Sequence, residues 1–119
     1  MNSYDLAILN RQLSEMLETG VPLEQGLRQA AKSFRKAGDR RELEALERDL
    51  QEGVPLEEAI APRRLPRFYK NMLAVGASTD TLITVLESLA DYYNENAILR
   101  SRLTGLLVYP AIVLVLLLG

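Results

Sequence analysis

The chain contains no cysteine, no histidine and no tryptophan, and only two phenylalanines among its 119 residues. Without cysteine there is no disulfide, no thiolate metal ligand and no thiol nucleophile, and the lack fits a reducing compartment. Without histidine the commonest general base at neutral pH is missing as well. A phosphate-cradling glycine loop is also lacking, because the glycine-containing turns carry one glycine each and no following Lys-Ser or Lys-Thr. The expectation is a protein that is not an enzyme and takes no metal or cofactor. The N-terminus, Met-Asn-Ser-Tyr-Asp, has neither a basic stretch nor an apolar one, so it does not read as a secretory signal. With 14 basic and 16 acidic residues the net charge is only −2, which excludes a field strong enough to hold nucleic acid. Charge is absent altogether from residues 103–119, since every ionised side chain lies at or before Arg102.

What is present is helical patterning. At 48% hydrophobic residues the chain can bury one modest core. Leu6, Leu9, Leu13, Met16 and Leu17 recur at three- and four-residue steps and predict a first helix over 4–18, stopped by Gly20. A second helix runs from Pro22 through Leu23, Leu27, Ala30, Ala31 and Phe34, closed by Arg35, Lys36 and Gly38. Asp39 with Glu42 resembles a capping box for a third, which carries Leu43, Leu46 and Leu50. A short fourth helix holds Ala59 and Ile60 before Pro62 and Pro66. A fifth, over 66–75, buries Phe68 or Tyr69 with Met72 and Leu73 and ends at Gly76. Ser78 or Thr79 caps the sixth, with Asp80 in its first turn and Leu82, Val85, Leu86, Leu89, Ala90 and Tyr93 on its apolar face. No stretch alternates with period two, so the expected fold is an all-α, six-helix antiparallel bundle.

Gly-Val-Pro-Leu-Glu occurs twice, at Gly20, Pro22, Leu23 and again at Gly53, Pro55, Leu56, a spacing of 33 residues. Each copy marks a helix stop with a helix start directly after it: the glycine turns the chain and the proline suits the next first turn. The spacing is close to that of helical solenoids of roughly 33–34 residues, which bind peptides, but two units fall short of the three or more such stacks need. Two helical hairpins in one bundle explain the same period.

From Leu103 to Leu118 the sequence is apolar on every face of a helix and stops at Gly119. A domain this small has little core to surround such a helix, so the run reads as the start of a truncated transmembrane helix. Residues 1–102 then form a cytoplasmic helical domain and 103–119 the membrane-entering segment. Arg100 and Arg102 precede the run, Tyr109 suits the interface, and Pro110 is accommodated as a kink or a first turn. If the run is instead buried in protein, a soluble regulatory dimer is the expected class.

Two charged groups stand out as docking candidates. Glu87, Asp91 and Glu95 form a carboxylate ladder, better suited to meeting a basic partner than to caging calcium, unless a two-fold dimer joins two ladders. Arg63, Arg64, Arg67 and Lys70 flank Phe68 and Tyr69 and suit anionic lipid or an acidic partner, or form an ordinary inter-helix segment.

Taken in order, Arg11-Gln12-Leu13, the two Gly-Val-Pro-Leu stretches, Leu65-Pro66, Gly76, the series Leu82 to Tyr93, and Tyr109-Pro110 resemble the F domain of inner-membrane platform proteins of bacterial type II secretion systems and type IV pili. The resemblance implies one of two six-helix cytoplasmic domains joined by membrane helices. It also implies a scaffold at the bacterial inner membrane that couples a cytoplasmic assembly ATPase to pilin or pseudopilin subunits. Its partners would be a second copy of itself as a homo-oligomer (a dimer), the ATPase, other inner-membrane components of the machine, and lipid through the C-terminal segment. The family usually shows Gly-Glu, then Ser-Gly, before the sixth helix. Here the stretch is Gly76-Ala77-Ser78-Thr79-Asp80, so no role of that glutamate transfers to Ala77. The competing expectation is a membrane-anchored helical-repeat adaptor that binds peptides or partner proteins.

Overall fold

A computed structural model describes the backbone of residues 1–118 and the side chains of residues 1–98 and 113–118. Six α-helices make up the described residues: α1 (Ser3–Glu18), α2 (Leu23–Ala31), α3 (Ala37–Gln51), α4 (Leu56–Ile60), α5 (Arg67–Ser78) and α6 (Leu82–Leu118). The class is the all-helical bundle that the apolar periodicity predicts. α1 lies antiparallel along α6, since Arg11 pairs with Asp91 while Tyr4, nearer the start of α1, shares a groove with Asn94. α5 is antiparallel to α6 as well, with Phe68 against Tyr92 at one end and Gly76 against Val85 at the other.

The three joints at one end of the bundle share a backbone device. Gly20 and Gly53 take φ of +91° and +88°, and the prolines two residues later sit at N-cap positions with φ, ψ of −61°, 149° and −58°, 147°. At each joint the bonding is of Schellman type: Val21 N donates to Met16 O and Gly20 N to Leu17 O, and Val54 N donates to Asp49 O and Gly53 N to Leu50 O. The third joint repeats the six-residue closure without glycine. Thr81 N donates to Gly76 O at 2.9 Å, and Asp80 occupies the left-handed position at φ +57°. Gly53→Ala is therefore expected to lower stability by about 1–2 kcal/mol. Asp80→Gly is expected to raise it by up to about 1 kcal/mol, both read by urea unfolding. Both repeat copies serve one core, Leu23 and Leu56 lining the same interior, so they build joints and not a concave array.

Several expected boundaries move. α2 ends at Ala31, and Phe34 is buried from a turn beyond it, so Gly38 belongs to the first turn of α3 and does not close α2. α3 has no side-chain cap, because Asp39 is already inside the helix and takes the Met1 amino group at 3.2 Å. A capping box stands at Asn2 and Asp5 instead, with Asp5 N donating to Asn2 Oδ1 at 2.8 Å. Gly76 does not end α5. It is buried within it, because α6 crosses so closely that a Cβ there would lie 3.0 Å from Val85 Cγ2 and 3.2 Å from Leu82 Cα. Ser78 and Thr79 close α5, their hydroxyls donating to Val75 O, and do not cap α6; Asp80 precedes α6 instead of starting it. Ala77, in the loop-side turn of α5, is half-buried against the core.

The core is aliphatic with one polar insertion. Leu6, Leu9, Leu13, Leu27, Leu43, Leu46, Ile60, Leu73, Leu86 and Leu89 are all buried, each worth about 1.5–3 kcal/mol of transfer free energy. All of these but Leu6 and Leu89 border a void of about 20 Å³ with no polar surface, too dry to hold water. Asn10 and Ser14 are the buried polar residues among those described. Asn10 Nδ2 donates to Leu6 O, and its Oδ1 accepts from the hydroxyl of Tyr69 at 3.0 Å. Of the two aromatics at the start of α5, Tyr69 is the buried one and Phe68 lies outside, tilted against Tyr92 with ring centroids 5.1 Å apart.

α6 passes from this core through residue 110 to Leu118 as one helix, so the expected division at residue 102 falls inside a continuous element. The side chains of Arg100, Arg102, Tyr109 and Pro110 lie outside the described residues. Val113–Leu118 are exposed, Leu118 by 81%. Among the described residues, no helix is long and apolar enough to cross a membrane.

Candidate docking face

α1 and α6 lie side by side and share an outer face. Three- and four-residue steps place Tyr4, Ile8, Arg11, Glu15 and Glu18 along the outside of α1, and all are exposed. The parallel stripe of α6 holds Glu87, Asp91, Asn94 and Ile98. Small residues at the crossing, Ala7 and Ala90, let the helices approach. A groove of about 310 Å³ runs between them, walled by Tyr4, Ile8, Arg11 and Asn94. On the other flank of α1 a second groove, about 410 Å³, is bounded by Phe34, Arg35 and Asp39. Tyr4, 63% exposed, and Ile8 form the ridge between the two. An exposed tyrosine beside an aliphatic residue is the kind of anchor that carries binding energy when a partner dehydrates it.

The carboxylate ladder is split up by its neighbours. Arg11 Nη2 donates to Asp91 Oδ1 across the groove, a pair so exposed that it contributes at most about 1 kcal/mol. Glu95 is exposed. Glu87 is half-buried and meets Glu18, a residue that sequence spacing does not connect to it. The Glu18 carboxyl is raised above its ordinary 4.5, first by a hydrogen bond with Glu87, then by the charge of that carboxylate, with burial and Glu15 adding to it. A carboxyl raised in the folded state contributes stability that is fully present below its unfolded pKa and lost as pH rises through the folded value. Glu87→Gln should therefore raise the melting temperature at pH 7 and leave it nearly unchanged at pH 4; an equal shift at both would show that the two carboxyls do not interact. Among the described residues no group of three or more acidic side chains is placed to hold a metal.

The basic candidates divide into two kinds. Lys70 Nζ donates to Ala61 O at 2.9 Å and to Arg63 O at 3.2 Å, and Arg63 faces Glu42 at 3.9 Å, so these two hold the α4–α5 loop to the bundle. Arg64 and Arg67 are exposed. The repeat residues Gly20, Pro22, Gly53 and Pro55 shape the joints, and Leu23 and Leu56 face the core. Neither Tyr4 nor Ile8 stands out by motif or charge, and only the pairing of α1 with α6 reveals them as a ridge.

A family model described as type II secretion system, protein F, matches residues 9–119. The chain belongs to that family. Proteins similar to it include the type IV pilus assembly protein TapC of Aeromonas hydrophila, 33% identical over 92% of this chain and 27% of that protein. The type II secretion system protein F of Vibrio cholerae is 33% identical over 100% of this chain and 30% of its own length. The type IV pilus assembly protein PilC of Thermus thermophilus is 30% identical over 97% and 29%. The chain thus spans about three-tenths of the length of these protein F and pilus assembly relatives.

Proposed function

We propose that this chain is a cytoplasmic domain of an inner-membrane platform protein of a type II secretion or type IV pilus machine, and that it acts through protein contacts. The observation that carries the reading is the family match over residues 9–119, which takes in the bundle and the apolar run together. In this reading Leu103 onward enters the membrane and α6 ties that segment to the core. A cytoplasmic ATPase shifts the bundle, and packed helices pass the shift to the membrane segment as pilin or pseudopilin subunits are assembled. The Tyr4–Ile8 ridge serves contact with a second copy of the chain, its exposed apolar surface supporting a dimer.

The test is recovery of the ATPase and of pilins on the full-length platform protein, with ATP, ADP and no nucleotide. Recovery in at least one nucleotide state is expected, and none in any state sinks the coupling. For self-association, Ile8→Asp, a change at an exposed position, should weaken the dimer by about tenfold or more in sedimentation. An unchanged sedimentation profile would remove the ridge from the interface.

A further inference from the structure

The near-zero net charge conceals a molecule with two poles. At the end that carries the α1–α2, α3–α4 and α5–α6 joints, residues 15–24, 49–58 and 78–87 hold nine carboxylates and no Lys or Arg. At the opposite end lie the α2–α3 and α4–α5 connections. Residues 32–41 hold five cations against Asp39 alone, and residues 61–70 hold four cations and no acid. Two contacts bring the basic segments to the same end. The Met1 amino group meets Asp39 at the start of α3, and the Arg64 amide donates to Glu42 just under a turn further along it. Seven of the nine cations are exposed, Arg35, Lys36, Arg64 and Arg67 among them.

The apolar run leaves the bundle at this basic end. Tyr4, near the start of α1, shares a groove with Asn94, and α6 continues from there toward Leu103. At helical rise the nine residues from Asn94 to Leu103 cover about 13 Å. The headgroup layer takes up roughly 5–7 Å of that. The remainder is within the ~8–10 Å over which charge is felt at physiological salt. We infer that the basic end of the bundle, formed by the α2–α3 and α4–α5 connections, is a docking surface for anionic lipid headgroups. It holds the bundle upright on the leaflet with its acidic pole turned away. This rests on the membrane-entering reading of residues 103–119. It adds that the bundle itself, and not only the hydrophobic segment, reads the charge of the lipid.

The absence of native cysteine makes the orientation measurable. Ala37→Cys and Gln51→Cys label exposed positions at opposite ends of α3, about 21 Å apart along its axis. Each full chain, carrying a fluorophore, is bound to vesicles containing headgroup-nitroxide lipid, of phosphatidylcholine alone or with about 30% phosphatidylglycerol. Residue 37 should be quenched more than residue 51, and the ratio should be about threefold larger in the anionic vesicles, an excess lost at high salt. The same excess should vanish in a variant with Arg35→Glu, Lys36→Glu, Arg64→Glu and Arg67→Glu that retains its helical circular dichroism. Equal ratios in neutral and anionic vesicles, with the chain still co-sedimenting, would overturn the docking surface and leave the membrane-entering segment standing; the basic end would then be open to an acidic protein. Failure to co-sediment with either vesicle would overturn both. The wild-type comparison stands whether or not the fourfold variant folds.

Discussion

Leu86→Ala is expected to lower the unfolding free energy by about 2–5 kcal/mol. Leu86 is 1% exposed and borders the central void together with Leu9, Leu43, Leu73 and Tyr69 of three other helices; alanine strips off its two methyl groups. Removing them loses transfer free energy and enlarges a void that the surrounding leucines cannot close without moving whole helices. Urea unfolding monitored by circular dichroism reads the effect as a lower midpoint at unchanged slope. Val75→Ala, on the same bundle but 51% exposed, should cost under about 0.5 kcal/mol. Comparable losses for the two would mean that Leu86 does not sit in a tightly packed interior.

The second large effect comes from the polar pair inside that apolar core. Asn10→Leu should cost about 1–3 kcal/mol, because it leaves the Tyr69 hydroxyl buried without an acceptor. Tyr69→Phe should cost a similar amount by stranding Asn10 Oδ1. The double variant should recover much of the loss, since two apolar groups in place of two bonded ones strand nothing. Simple additivity of the two losses would show that the bond contributes nothing. An independent readout is alkaline titration. Burial raises Tyr69 well above its ordinary 10.0, outweighing the bond to Asn10, which acts the other way. The folded state therefore keeps the proton that the unfolded chain releases. The stability is full below pH 10 and falls as the pH rises above it, and Tyr69→Phe should flatten that fall. Tyr93, raised by burial and by Tyr92, leaves a smaller slope of the same sign.

The class of fold and the order of helices were legible because the apolar residues keep a helical period wherever a helix lies. The Gly-Val-Pro-Leu-Glu joints were legible because turning the chain and restarting a helix each make a local chemical demand, and one short segment meets both. What escaped was set by partners distant in the chain. Gly76 looks like a stop signal, and only the crossing of α6 gives it a packing reason to remain inside α5. Asp80 looks like a first-turn acid, whereas the six-residue closure to Gly76 puts it in the left-handed region. Asp39 looks like a cap until the Met1 amino group is seen beside it. The carboxylate ladder was found by counting along one helix, but its electrostatics are decided by Arg11 and Glu18 on another.

The unbroken course of α6 has a mechanical consequence. Val85, Leu86, Leu89 and Tyr93 clamp its first turns among other helices, while no joint separates them from the remainder of the helix. From Tyr93 to Pro110 the helix is a lever arm of about 25 Å. A 10° tilt of the clamped portion would swing the far end sideways by about 4 Å, close to half the spacing of two packed helices. Along one continuous helix, angle at one end becomes displacement at the other.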